Sequence, residues 1–294
     1  MIDIRDLEFL TALARRKHFA RAAEDCGVSQ PAFSMRIRKI EEGLGVPLVQ
    51  RGNRFQGFTT EGATVLRHAM KIMDGLKTME QDIRSAQGDI SGALSVGVIP
   101  TAVNHAAQVV KHLHGQHPNI RVTLQTATSL AIQQGIENGR FDAGFTYAEG
   151  LASELLRIDL LYQEGYLLFA PKHLVPMHEG SITWAQAAEV PLSLLEPEMQ
   201  NRRIIDKVFS DLGMVPKVIT QSSGFLTCVV LAREGVTATI MPGQIADIFA
   251  HIDGVLTLQL VEPELEKPVG LISRARDLNL PSVEALRAAC LEFQ

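Results

Sequence analysis

Residues 19–44, FARAAEDCGVSQPAFSMRIRKIEEGL, decide how the N-terminal end folds. They read as two short helices joined by a tight turn. Phe19, Ala22, Ala23 and Cys26 share one face of a 3.6-residue period. Gly27 can take the positive φ at which a helix stops. Ser29 is placed to cap the next helix, and Pro31 falls in its first turn, where a missing N–H costs nothing. Phe33, Ile37, Ile40 and Leu44 then form an apolar stripe. The other face carries Gln30, Ser34, Met35, Arg36 and Arg38. An apolar back with an amide, a hydroxyl and cations in front suits a helix that enters a DNA major groove. An ordinary helical hairpin with a solvated basic face would look the same, so the flanking sequence has to decide.

Before this hairpin, Leu7, Leu10, Leu13 and Ala14 mark a first helix. After it, Gly45-Val46-Pro47 ends the second motif helix. Residues 48–60, LVQRGNRFQGFTT, read as a small two-stranded wing whose Arg51 and Arg54 can meet backbone phosphate. Charge supports this reading. The whole chain carries −5, yet residues 1–60 hold 10 Lys and Arg against 7 Asp and Glu. A basic end on an acidic body predicts that only the N-terminal part meets nucleic acid.

From Thr60 the pattern becomes one long helix to about residue 87. Gly62, Val65, Ala69, Ile72, Leu76, Met79, Ile83 and Ala86 alternate three- and four-residue steps. That is the seam of a two-helix coiled coil, and a partner copy is the expected cover, with packing on the chain's own body as the alternative. Residues 88–92, GDISG, read as a hinge. Beyond them strands and helices alternate, hence an α/β body. Strands are expected at 94–99, 121–126, 141–147, 166–170, 238–241 and 269–273. Helices are expected from Val103, over 130–138 and over 282–292.

The 294 residues suggest about two domains, and an apolar share of 46% is enough for real cores. No uninterrupted apolar run reaches membrane-spanning length, and the acidic start MIDIRDLEFL is unlike a secretory leader. Three scattered cysteines fit a reducing cytoplasm rather than a disulfide framework. His112, His114 and His117, with His105 a heptad earlier, crowd one helix end, but no Cys or acid completes a metal set. No metal or cofactor is expected. Cys26, Cys228 and Cys290 read as packing residues.

The N-terminal run resembles the LysR-type transcriptional regulators. The resemblance rests on Asp6-Leu7-Glu8-Phe9-Leu10, Phe19-x-x-Ala22-Ala23, Val28-Ser29-Gln30-Pro31, Ser34, Ile37, Glu41, Leu44-Gly45-Val46-Pro47-Leu48, Arg51 and Thr59-x-x-Gly62. It implies a winged helix-turn-helix over 1–60, a dimerising linker helix over 61–88 and an effector-binding domain over 93–294. That last domain would have two lobes built like periplasmic solute-binding proteins. Lobe I would take about 93–162 and 268–294, and lobe II about 163–267, with crossovers near 161–165 and 262–268. The resemblance also implies tetramers on a double-stranded DNA operator with dyad character, and RNA polymerase as a further partner. Family members often carry Arg where Met35 stands here, and a small aliphatic residue at Phe33. Arg5 to Leu10, His18-Phe19, Cys26 and Gly97-Val98-Ile99-Pro100-Thr101 lean towards the peroxide-sensing branch. That branch uses a cysteine pair in the region reading 196–212 here, which holds none; Met199 stands roughly at the reactive position.

The resemblance therefore predicts Ser29, Gln30, Pro31, Ser34, Met35, Arg38, Arg51 and Arg54 at DNA, and Val65, Ala69, Ile72, Leu76, Met79 and Ile83 at a dimer seam. The effector site is argued from chemistry. Ligands of open α/β sheets bind beyond the carboxyl ends of strands. Three helix starts there carry hydroxyls: Pro100-Thr101, Thr128-Ser129 and Ser222-Ser223. Helix N-termini hold carboxylates well, so a small anionic metabolite is expected, although hydroxyls are also ordinary caps. Two other function classes stay open: a solute-binding module whose N-terminal part only oligomerises, and a non-thiol member of the peroxide-sensing branch. An enzyme is not expected, because Walker, GxSxG, HExxH, CxxC and strand-following GxGxxG motifs are absent.

Overall fold

A computed structural model describes residues 2–50, 55–85, 90–151, 155–175, 180–249, 252–275 and 280–293. Three helices open the chain: α1 (Ile4–Arg16), α2 (Phe19–Asp25) and α3 (Gln30–Leu44). Asp3 caps α1, and Asp6 returns the bond to the Asp3 N–H, which satisfies two orphan donors. Gly27 at φ 65° lets the chain leave α2 and re-enter as α3. The Ser29 hydroxyl accepts from the Ala32 N–H, as expected of a cap. Phe33, Ile37 and Ile40 are buried against Phe9, Leu10, Leu13, Ala22 and Ala23, and the Phe9 and Phe33 rings stack at 4.8 Å. Leu44 is a correction, since it is exposed. Gly45 turns the chain at φ 70°, and the fully buried Leu48 completes the core in its place.

The wing is pinned by an antiparallel bridge between Val49 and Phe58, and Arg51 and Arg54 lie outside the described residues. Helix α4 (Thr60–Ser85) then packs on α1. The expected seam divides along this helix. Gly62 sits so close to the Leu48 carbonyl that a Cβ would stand 2.0 Å from its oxygen. Ala69 is buried, and Val65 packs on the N-terminal core. Within one chain Gly62 and Ala69 are already covered, and Val65 is half-buried. Ile72, Met79 and Ile83 remain exposed, and Leu76 is half-buried.

The body follows in order as β1 (Gly92–Val98), α5 (Val103–Gln116), β2 (Ile120–Thr126), α6 (Ser129–Glu137), β3 (Ala143–Tyr147), β4 (Leu156–Pro171), β5 (Ser181–Thr183), α7 (Trp184–Ala188), β6 (Leu192–Leu195), α8 (Gln200–Asp211), β7 (Val218–Ser222), α9 (Phe225–Arg233), β8 (Thr239–Pro242), α10 (Gly243–Ala246), β9 (Val255–Val261), β10 (Glu266–Arg274) and α11 (Pro281–Glu292). The main sheet runs β2-β1-β3-β10-β4-β9-β5, with β8 also on β4 and β6-β7 as a separate parallel pair. Strand β4 decides the architecture. Its first part pairs with β10 as far as Gly165, and from Tyr166 onward it pairs with β8 and β9. One 16-residue strand thus belongs to two lobes. The chain returns between Val261 and Glu266, where Glu262 takes φ 56° ahead of a cis Pro263.

The first lobe buries Val96, Val98, Phe141, Phe145 and Leu271, and the second buries Trp184, Leu192, Leu194, Ile205 and Phe209. Strands β5, β6, β7 and β9 and helices α7, α8 and α10 were not expected from the sequence. Most of those strands are three to five residues long, too short to show a period. Burial on both sides removes the polar alternation of β6.

Candidate functional site

Two regions answer to the sequence expectations. The first is the outward face of α3. Ser29, Gln30, Pro31 and Arg38 are exposed, Met35 is 65% exposed, and Ser34 is half-buried. Gln30 Nε2 donates to Ser34 Oγ at 3.1 Å, which aligns an amide and a hydroxyl one turn apart. Arg38 meets no partner among the described residues, so its guanidinium projects from the surface. Arg36, expected beside it, turns the other way. It donates to Asp6 and to Asp3 Oδ2, the latter at 2.6 Å. The two carboxylates hold its guanidinium above its ordinary pKa. Arg36 therefore fixes α3 on the N-terminus of α1, and Gln30, Ser34, Met35 and Arg38 form the free face.

The second region lies where the lobes meet. Thr101 does not cap α5. It sits in a 3-10 turn over Pro100–Ala102, Ala102 occupies the N-cap, and the Thr101 side chain is wholly buried. Thr128 is an ordinary cap that accepts from the Ala131 N–H at 3.2 Å, and the Ser129 hydroxyl is buried without a partner. Ser222 is taken up by Gly224, accepting from its N–H and donating to its carbonyl, and Ser223 is exposed. Gly224 is the N-cap of α9. The three hydroxyl-bearing helix starts do not form one hydrogen-bonded group.

The polar group that does assemble there contains Tyr147 at the end of β3, Glu164 and Tyr166 on β4, Asn201 on α8, and Thr101. Glu164 is 2% exposed. Its Oε1 accepts from the Tyr147 hydroxyl and, at 3.3 Å, from the Tyr166 hydroxyl. Asn201 Nδ2 reaches the Tyr147 hydroxyl at 3.5 Å, which joins the second lobe to the first. Glu164 Oε2, Asn201 Oδ1 and Thr101 Oγ1 are buried without hydrogen-bond partners. Burial pushes the Glu164 carboxyl up to about 7, and the Tyr147, Thr101 and Tyr166 hydroxyls pull it the other way. Burial, then the neighbouring carboxylate, push the Tyr147 hydroxyl well up. An anion placed here would face a like charge, which weighs against the anionic effector expected from the helix starts.

Of this group, only Thr101 was singled out from the sequence. The available signal was the tyrosine count: Tyr147, Tyr162 and Tyr166 are all the tyrosines in the chain, and all three lie on β3 or β4. Nearby, Asn104 Nδ2 donates to the Gln244 carbonyl at 3.0 Å, a further tie between lobes.

The remaining candidates have structural settings. His105 is buried between Phe145, Tyr162 and Phe293, and burial lowers its pKa. His112 pairs with Glu292 at 2.8 Å. Met199 is the N-cap of α8 and packs on the second-lobe core. Burial raises the Cys228 thiol and pushes the Cys290 thiol up to about 12, so neither is poised as a thiolate.

Two family models match. The bacterial regulatory helix-turn-helix protein, lysR family, covers residues 4–63, and the LysR substrate binding domain covers residues 87–294. The chain is 28% identical over 282 residues to the DNA-binding transcriptional dual regulator OxyR of Escherichia coli, spanning 93% of this chain and 90% of that one. A full-length OxyR variant from Pseudomonas aeruginosa superposes with a TM-score of 0.77 at 21% identity, over 99% of this chain and 95% of that one. Full-length CbnR, solved with its target DNA, gives 0.63 at 20% identity, over 100% of both chains. With a helix-turn-helix whose outward face is exposed and a two-lobed body behind a long helix, this chain belongs to the LysR family of transcriptional regulators, which bind DNA and are not enzymes.

Proposed function

We propose that this chain binds a dyad operator as an oligomer and that a small molecule held between its lobes changes how it does so. On this reading Gln30, Ser34 and Arg38 meet base edges or adjoining phosphates, and Ser29, Pro31 and Met35 pack beside them. Arg51 and Arg54 meet phosphate from the wing. Exposed Ile72, Met79 and Ile83 are the part of α4 left for a second copy. Met79 and Ile83 border an open groove of about 1180 Å³ that Leu66, Met70 and Leu155 also line. Two such chains would set two α3 helices at half-sites, and pairs of pairs would make a tetramer. The DNA complex of the similar CbnR supports the DNA part of this reading.

The observation that carries the effector part is the set of partnerless buried atoms on Thr101, Glu164 and Asn201, drawn from both lobes. Buried polar groups are ordinarily paired, so three idle ones in one junction point to a missing partner. A ligand there would alter how the lobes sit and bias the assembly by no more than its differential affinity for the two arrangements. The test is operator titration with and without the metabolite that co-purifies with the full chain. Effector should change affinity or footprint length in the parent. Thr101→Val should blunt that response and keep effector-free DNA binding. An identical response in parent and variant would remove Thr101 from the site.

A further inference from the structure

The junction has a chemical bias that the effector reading alone does not explain. Glu164 is enclosed, yet among the described residues no Lys, Arg or His side chain pairs with it. Its hydrogen bonds come from the Tyr147 and Tyr166 hydroxyls, both on Oε1, with the Thr101 hydroxyl close by. Oε2 accepts nothing, and Asn201 Oδ1 accepts nothing. Asn201 Oδ1 can only accept, and so can Glu164 Oε2 when the carboxyl is ionised. The Thr101 hydroxyl oxygen, which meets no partner within hydrogen-bonding geometry, can accept as well. With Glu164 ionised, the junction is short of donors and short of one positive charge.

Ordered water could fill the hydrogen bonds but would leave the charge uncompensated. A sugar hydroxyl has the same shortcoming. A carboxylate ligand adds a second negative charge beside the first. A protonated amine supplies up to three N–H donors and the missing charge together.

We propose that the junction selects an effector bearing a protonated amine, with Glu164 as its counter-ion and Asn201 and Thr101 as further acceptors. This rests on the reading that the effector binds between the lobes. It assigns Glu164 and Asn201 as specificity-determining residues and makes charge the basis of selection.

Three four-carbon probes that differ only in the head group test it: butylammonium, butanol and butyrate. Saturation-transfer NMR on the full chain at pH 8 and physiological salt reads their binding. At that pH Glu164, held near 7, is mostly ionised and the amine is protonated. Butylammonium should bind best. Glu164→Gln keeps the shape, removes the charge and should weaken butylammonium about tenfold or more. If Glu164→Gln fails to fold by circular dichroism, Asn201→Ala takes its place and should weaken butylammonium several-fold. Equal butylammonium binding in the parent and in a folded variant would overturn the proposal. Butyrate binding best, and losing that binding in Thr101→Val, would overturn the amine assignment and leave the junction as the effector site. Probes that respond to none of the three substitutions would overturn both.

Discussion

Arg274, the last residue of β10, donates to the Asp74 carboxylate midway along α4, 200 positions earlier in the chain. The same guanidinium also donates through Nε to the Ile136 carbonyl at 2.9 Å. Both partners of the pair are largely shielded, at 15% side-chain exposure each. About two turns further along α4, Gln81 Oε1 accepts from the Ser282 hydroxyl and N–H at the start of α11. The linker helix is thus fastened to the first lobe at two points. These contacts join the first lobe to the helix that packs on α1.

Arg274→Ala should cut this connection. Arg274 donates to both the shielded Asp74 carboxylate and the Ile136 carbonyl, so urea unfolding should show a loss of about 1–3 kcal/mol. Operator affinity without effector should be retained, and its change with effector should shrink. An unchanged effector response would place the coupling elsewhere.

Arg36→Ala should lower the melting temperature and weaken binding to operator and random DNA alike, because Arg36 anchors α3 to Asp3 and Asp6. Gln30→Ala should behave differently. It should cost about 1–3 kcal/mol on the operator and much less on random DNA, since it removes base reading. Competition gel shifts with both DNAs separate the two classes.

Aspartate at both Ile72 and Leu76 should dissociate the oligomer, since it buries unpaired carboxylates in the uncovered part of α4. Sedimentation velocity reads this directly. The same pair of substitutions should leave the monomer folded by circular dichroism, because Ile72 is half exposed within one chain. An intact oligomer would mean that the copies meet elsewhere.

Glu164 should give the ligand-free protein a distinctive pH dependence. Its folded-state pKa is raised from 4.5 to about 7, so its protonated form is the one that burial favours. Its stabilising contribution is fully present below about 4.5 and is lost as pH rises through about 7. Above that the ionised carboxyl costs on the order of 3 kcal/mol. Glu164→Gln should raise the melting temperature at pH 8 and change it little near pH 4.5. Equal effects at both pH values would show that the carboxyl is not held protonated by burial.

Local sequence determined the reading head. Capping by Ser29, the turn at Gly27 and the stripe of Phe33, Ile37 and Ile40 depend on residues within a few positions of each other, so they are legible without a fold. The apolar period of α4 and the longer strands of the first lobe were legible for the same reason. Tertiary structure decided the rest. Nothing local separates Arg36 from Arg38, yet one turns to carboxylates on α1 while the other stays free. Gly62 looked like a seam position until the approach of Leu48 gave it a steric reason to be glycine. The hydroxyls at helix starts advertised a site, but Asn201 and Tyr147, 54 positions apart, are joined only when α8 closes on the end of β3. Contacts between distant segments leave no periodic trace in the chain, because side chains meet there through the path of the backbone rather than through spacing along it.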